Sequence, residues 1–330
     1  MQLEKLHKIL IVRLSSLGDV LLTTPIFRSL KKAYPDLIIH SVVLDSYYDV
    51  LKNNPYINSV WKYQKNRDDE KNLNKTLINE EFDAVIDLQN NFRSRRLLNN
   101  VCQRTFRLDK LSIKKFLLVN FKINLLKDSQ SIPERYAFTI PGLRLDNEGL
   151  EIFIPSSKTS RIKEGEKIIG FCPGSRHYTK MWPEEYYVEL GKKLKSIGYR
   201  IALFGGSSDI FVCQNLENKI DGSINLSTED DILQLAADMR NCKAIVCNDS
   251  GLMHAACAVN VPVLSIFGST VKEFGFFPYN CDNLVLENNS LTCRPCSHIG
   301  KDNCPKRHFR CMKDLTPLTA FNKLQQLLKI

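Results

Sequence analysis

Three places in the chain join a short apolar run to a small-residue turn and the start of a helical pattern, with charged or hydroxyl side chains in the turn. In the first, Ser15-Ser16-Leu17-Gly18-Asp19 puts Asp19 near a helix N-terminus. A carboxylate there can take a proton from an acceptor hydroxyl, or can simply cap the helix. In the second, Pro173-Gly174 is followed by Ser175, Arg176, Thr179 and Lys180 before Trp182-Pro183 opens a helix. Hydroxyls, backbone amides and cations in that order suit a diphosphate, although a plain capped loop has the same composition. In the third, Asn248-Asp249-Ser250-Gly251 leads into a helix of small residues with His254 in its first turn. Free amides and an imidazole there meet where an anion could sit. Between these last two, Gly205-Gly206-Ser207-Ser208-Asp209 ends another run, and its glycines would let a nucleoside lie close to backbone. The chain contains no Asp-x-Asp, so no acidic pair is ready to hold magnesium on a diphosphate. Cations and helix starts would have to neutralise it.

Such turns need a scaffold that aligns the ends of strands. Brief Val/Ile-rich runs at residues 8–12, 37–44 and 83–88 alternate with helix-length connections, of which 17–33 carries Leu21, Leu22, Ile26 and Leu30 at helical spacing. The second half repeats the style. Strands are predicted at 167–172, 199–204, 243–247 and 262–267, and helices at 184–197, 210–219, 230–240 and 252–259. Buried parallel strands read this way, and open sheets of that kind bind ligands at their carboxyl edge. The expectation is an α/β fold of two doubly wound domains, residues 1–155 and 167–330, joined by the polar linker 156–166. The second domain would carry a Cys-rich loop at 290–314 and a C-terminal helix.

Composition sets the bounds. At 330 residues, 43% hydrophobic and 25% charged, the chain has the make-up of a globular enzyme, and its net charge of +10 excludes an acidic disordered solvator. No apolar run approaches the roughly 18–20 residues of a membrane span, and the N-terminus lacks a signal-peptide pattern. The charge is concentrated. Residues 93–127 hold ten bases against the single acid Asp109, a net +9, interleaved with Phe92, Phe106, Phe116, Leu117, Leu118 and Phe121. Inert faces mix charges of both signs, so the missing acids favour an anion-binding surface over a merely solvated one. Eleven cysteines without a signal peptide point to the reducing cytoplasm. Four of them, Cys293, Cys296, Cys304 and Cys311, cluster near His298 and His308, a spacing open to a structural zinc, to free thiols or to disulfides.

Taken together, residues 8–25, 83–89, 173–183, 205–209 and 248–254 resemble the family 9 glycosyltransferases, the ADP-heptose:lipopolysaccharide heptosyltransferases. The resemblance implies a GT-B fold, two Rossmann-like domains facing across a cleft. It also implies inverting, metal-independent transfer of heptose from the nucleotide sugar ADP-heptose to an anionic glycolipid, the lipid A–Kdo inner core, with no cofactor for catalysis. By position Asp19 resembles the catalytic base. Donor contacts would come from Ser175, Arg176, Thr179, Lys180, Ser207, Asp209, Asp249, Ser250, Gly251 and His254, and acceptor contacts from Ser16, Gly18, Arg93, Arg95 and Arg96. Ser207 stands where relatives often have an acid for the ribose, with Asp209 two positions on as its replacement, and Ser250 stands for a threonine. The +9 stretch would face the acceptor and hold a monomeric, cytoplasmic protein to the inner membrane leaflet electrostatically, without insertion or nucleic acid. A competing reading is a basic nucleic-acid-binding protein with a zinc module. It explains the charge and the cysteines but leaves the three turns unused. A nicotinamide oxidoreductase is countered by the missing Gly-x-Gly-x-x-Gly.

Overall fold

In a computed structural model, residues 5–128, 130–228 and 230–329 are described. Their strands are β1 (Lys8–Val12), β2 (Ile38–Leu44), β3 (Ser59–Tyr63), β4 (Ala84–Asp87), β5 (Thr105–Arg107), β6 (Ile168–Cys172), β7 (Arg200–Leu203), β8 (Ile224–Asn225), β9 (Ala244–Asn248), β10 (Val263–Phe267) and β11 (Asn283–Glu287). They form two sheets, in the orders β3-β2-β1-β4-β5 and β11-β10-β9-β6-β7-β8, and every pairing among the described residues is parallel. In each sheet the strand order reverses beside the first strand laid down, β1 in one and β6 in the other. Crevices at such reversals open at the carboxyl ends of the strands, where the three sequence turns lie.

The central strands are apolar on both faces. Ile9, Leu10, Ile11 and Val12 are all inaccessible to solvent, as are Ala244, Ile245, Val246 and Cys247. Helices cover both sides of such strands, so alternation disappears and the run is continuous. One core gathers Leu10, Val12, Val42, Val85 and Leu97; another gathers Phe171, Trp182, Tyr187, Val246, Ile266 and Met312.

The central strands and four of the five helices given bounds fall within two residues of them, whereas helices such as Arg67–Asn79 and Ser112–Phe121 were passed over and the fifth is an instructive exception. The expected helix at 17–33 is two helices, Leu17–Leu21 and Thr24–Ala33. Thr23 and Thr24 turn their hydroxyls back on the carbonyls of Val20 and Leu21, at 2.6 and 2.8 Å, and Pro25 has no N–H to continue the ladder. The break leaves Asp19 on a short helix of its own. Edge strands β3, β5, β8 and β11 carry no strong apolar run, being short or half-exposed, and the sequence reading passed over them.

The chain divides into two units, Met1–Ser112 with Gln130–Phe153, and Ile113–Ser129 with Ile154–Ile330. Two features follow. The polar segment expected as a linker packs within the second unit, where the Arg161 guanidinium holds the Asp238 carboxylate at 2.6 Å and Lys158 pairs with Asp231. The basic stretch is also split between the two units. Arg93 to Lys110 stay in the first unit, whereas Lys114, Lys115, Lys122 and Lys127 belong to the second.

Candidate functional site

In the first unit, the turn after β1 delivers Asp19 one helical turn inside Leu17–Leu21. The backbone N–H and hydroxyl of Ser16 donate to its Oδ2 at 3.0 and 2.9 Å, closing a capping box. Its other oxygen pairs with the Arg13 guanidinium and accepts a long hydrogen bond of 3.4 Å from the Tyr136 hydroxyl. Arg13 in turn donates to the Leu88 carbonyl at 2.6 Å. The carboxylate is therefore both the cap and a charged group fixed by a cation, so the two sequence readings of Asp19 coexist. Gly18 is buried behind it and Ser16 is exposed.

The turn after β4 braces this arrangement. The Gln89 side-chain oxygen accepts from the amides of Leu14 and Ser15 at 3.0 and 3.1 Å. Asp87, wholly buried, accepts from the Gln89 and Asn90 amides and the Ser94 hydroxyl. Burial raises the Asp87 pKa above its usual range even against these donors. Of the proposed acceptor arginines, Arg93 is exposed, Arg95 donates to the Asn90 side chain at 3.0 Å, and Arg96 is bound to Glu70 at 2.7 Å. Only Arg93 keeps its charge clear of these two partners. Arg13, Tyr136 and Gln89 were not marked by sequence reasoning. They sit in apolar runs or after them, and only the fold brings Tyr136 to Asp19 and Gln89 to the turn before it.

In the second unit, the turns after β6, β7 and β9 converge. Lys180 Nζ lies 2.7 Å from Asp249 Oδ2, which also accepts the Thr270 hydroxyl at 2.6 Å. Asn248, at the end of β9, ties the turns together: its amide donates to the Pro173 carbonyl at 2.7 Å and its oxygen accepts the Trp182 N–H at 3.1 Å. Ser250 occupies the N-cap of helix Gly251–Ala258 without a side-chain cap, and its hydroxyl is buried with no hydrogen-bond partner. His254 is buried in the first turn of that helix. The helix therefore presents uncapped amides beside a fixed lysine, an arrangement suited to an anion.

Other expected donor residues differ in their engagement. Thr179 is 1% exposed, and its hydroxyl accepts from the Lys301 amide at 2.8 Å, so it fastens the Cys-rich loop. Ser175 is half-buried and Arg176 exposed. Ser207 donates through its amide and hydroxyl to Asp230, at 2.9 and 2.7 Å, so an acid does reach the Gly205-Gly206 turn, from a loop distant in sequence. Asp209 accepts from the Gly206 amide at 3.2 Å, and burial raises its pKa. A β-carbon on Gly174 would fall 2.1 Å from the Asp209 carboxylate, so the two turns touch because Gly174 has no side chain.

The four clustered cysteines are free thiols. Cys311 is buried in the second unit's core and its thiol is pushed up to about 12 by burial, while Cys293 lies 3.8 Å from His308 Nε2. Among the described residues no three His, Cys, Asp or Glu side chains come together as a metal site, and of the three readings of the cluster the free thiols are the one seen.

Two parallel α/β sheets, each with a polar cluster at its strand reversal, define the architecture of the GT-B glycosyltransferases. The sequence profile of Glycosyltransferase family 9 (heptosyltransferase) matches residues 71–306, and the chain belongs to that family. It is 26% identical to Lipopolysaccharide heptosyltransferase 2 of Escherichia coli K12, over 97% of this chain and 98% of that protein. A solved family 9 glycosyltransferase from Veillonella parvula shares the fold with a TM-score of 0.82 at 23% identity, covering 100% and 99% of the two chains. The E. coli heptosyltransferase WaaC with ADP-2-deoxy-2-fluoro heptose shares it with a TM-score of 0.69 at 20% identity, covering 97% and 99%. Among the described residues no helix is long and apolar enough to cross a membrane.

Proposed function

We propose that the chain transfers heptose from ADP-heptose to an anionic inner-core glycolipid of the lipid A–Kdo type, with inversion and without a catalytic metal, at the cytoplasmic face of the inner membrane. The observation that carries this is the second unit's anion cradle: Lys180 held by Asp249 beside the uncapped start of Gly251–Ala258, where Ser250 keeps an unpartnered hydroxyl. A departing nucleoside diphosphate needs such fixed donors, because they stabilise charge as it develops without having to reorganise. Family membership, and a relative solved with a fluorinated ADP-heptose, support the donor.

Within this reading Asp19 removes the acceptor proton, and Arg13 with Ser16 keeps its oxygens aimed. Lys180, Ser250 and the first amides of Gly251–Ala258 take the diphosphate. The Ser207–Asp230 pair and Asp209 offer acceptors for ribose hydroxyls. Ser16 and Arg93, both exposed, would meet the acceptor, with Gly18 shaping the turn that carries Asp19 and with Arg95 and Arg96 held through Asn90 and Glu70. Incubating the purified protein with ADP-heptose and a panel of truncated core acceptors tests the proposal. The expected result is one heptose added to a Kdo-bearing acceptor with release of ADP. Failure of every acceptor while ADP still stabilises the fold would remove the acceptor assignment, and absence of any ADP effect would remove the donor.

A further inference from the structure

The segment that follows Ser112 displays apolar side chains that its own unit does not cover. Ile113 is 77% exposed, Phe116 57%, Phe121 62%, Ile123 49% and Leu125 55%. A contiguous apolar patch of this kind is rare on a protein that stays free in water and marks a surface with a partner.

The display is anchored, not frayed. Leu118 and Leu126 point inward and are buried. The Lys122 ammonium donates to the carbonyls of Val119, Cys293 and Pro295, at 2.9, 3.2 and 2.6 Å. The Asn124 amide donates to Glu273 at 3.1 Å. Phe116 and Phe121 meet edge to face with ring centroids 5.9 Å apart, so the two rings form one ridge. Ordering of the segment is thus complete before any partner arrives, and burying the ridge costs little further entropy.

Charge decides the partner. Lys114, Lys115, Lys122 and Lys127 accompany the ridge, and no acid occurs from Ile113 to Lys127. Protein interfaces deplete lysine at their apolar centre. Lysines interleaved with aromatic and aliphatic side chains are instead the composition of segments that lie in the headgroup layer of an anionic bilayer. We infer that residues 113–127 are a membrane-docking ridge whose Phe116 and Phe121 insert into an anionic bilayer surface while Lys114 and Lys127 meet the headgroups. This extends the membrane-side reading above and rests on it, but changes its physics. Contact is made by insertion from the nucleotide-binding unit, and is not solely electrostatic attraction to the acceptor-binding one.

Vesicle flotation with the full-length chain tests it. Vesicles of phosphatidylcholine alone are compared with vesicles containing phosphatidylglycerol, at low and at high salt. The expected result is at least tenfold stronger binding to anionic vesicles, with a salt-resistant remainder. The double variant Phe116→Ser/Phe121→Ser should lose that remainder, while ADP-induced thermal stabilisation and transfer to a lipid-free acceptor stay unchanged. The variant Lys114→Gln/Lys127→Gln should lose mainly the salt-sensitive part. Equal vesicle binding by wild type and the Phe116/Phe121 variant overturns the proposal, as does a wild-type dimer that this variant converts to monomer. Failed transfer to every lipid-free acceptor would count against the enzymatic reading alone, since vesicle binding is read separately.

Discussion

Lys180 Nζ and Asp249 Oδ2 lie 2.7 Å apart at the meeting of two strand-end turns, both mostly buried, with side-chain exposures of 15% and 7%. The pair holds the lysine's charge in position before a ligand arrives. An anion placed against it adds a partner to an ammonium that is already oriented, which is how a rigid site limits the entropy of binding.

Lys180→Ala should have two separable effects. Removing the ammonium leaves the Asp249 carboxylate buried with the Thr270 hydroxyl as its remaining partner, at a cost of about 3 kcal/mol in stability. It also removes a charge-assisted contact to phosphate, worth roughly 10- to 100-fold in ADP affinity. Thermal melts and ADP titration of Lys180→Ala and of Lys180→Ala/Asp249→Asn distinguish the two. The double variant recovers stability and not affinity. Wild-type ADP affinity in both would end the diphosphate role.

Asp19→Asn keeps the shape of the capping box but not the base. Heptosyl transfer should fall by about 10²- to 10⁴-fold, the usual range for a lost general base. ADP-induced stabilisation should be unchanged, because the residues of the anion cradle all belong to the second unit. Single-turnover kinetics with saturating donor give the rate, and near-normal turnover would mean that Asp19 serves only as cap and ion-pair partner.

Asp146 supplies an acid-side dependence of stability. Burial would raise its pKa, but hydrogen bonds from Arg28, at 2.7 and 2.9 Å, and from Lys32 hold it well below the usual carboxylate range. A depressed folded pKa means that the unfolded chain binds more protons, so stability increases with pH across the window. The contribution is complete above about pH 4 and is lost as pH falls from there through the depressed folded value. Acid unfolding of Asp146→Asn should lack up to one proton of this slope, as measured by urea titrations at successive pH values below 5. Identical slopes in wild type and variant would contradict it.

Gly174→Ala should damage the donor side from a position with no chemistry of its own. The added methyl collides with the Asp209 carboxylate and pushes apart the turns after β6 and β7. Overpacking of this kind costs about 1–3 kcal/mol. A lower melting temperature together with weaker ADP binding is expected, and Gly174→Ala/Asp209→Ala should regain the melting temperature. If the single variant melts like wild type, the two turns do not meet as described.

Much of this molecule could be read directly from residue order. Runs such as Ile9 to Val12 and Ala244 to Cys247 declare buried parallel strands, since burial on both faces leaves only apolar side chains to choose from. Asp19, Lys180, Asp249 and Ser250 could be picked out because each follows such a run at the edge where ligands bind. Edge strands β3, β5, β8 and β11 left no comparable trace, because they are short or partly exposed and so tolerate polar residues.

What the tertiary structure alone decided is which side chains meet. Arg13 reaches Asp19, Lys180 reaches Asp249, and Asp230 reaches Ser207 across separations that no local pattern encodes. Thr179, chemically fit to touch phosphate, is spent on Lys301, and Cys311 packs as a free thiol into a core. The continuous basic stretch from Arg93 to Lys127 is divided between two units. Periodicity reports the surroundings of one element averaged along its length. Partner choice depends on how several elements pack, and that is settled only when the strands have aligned and their ends converge.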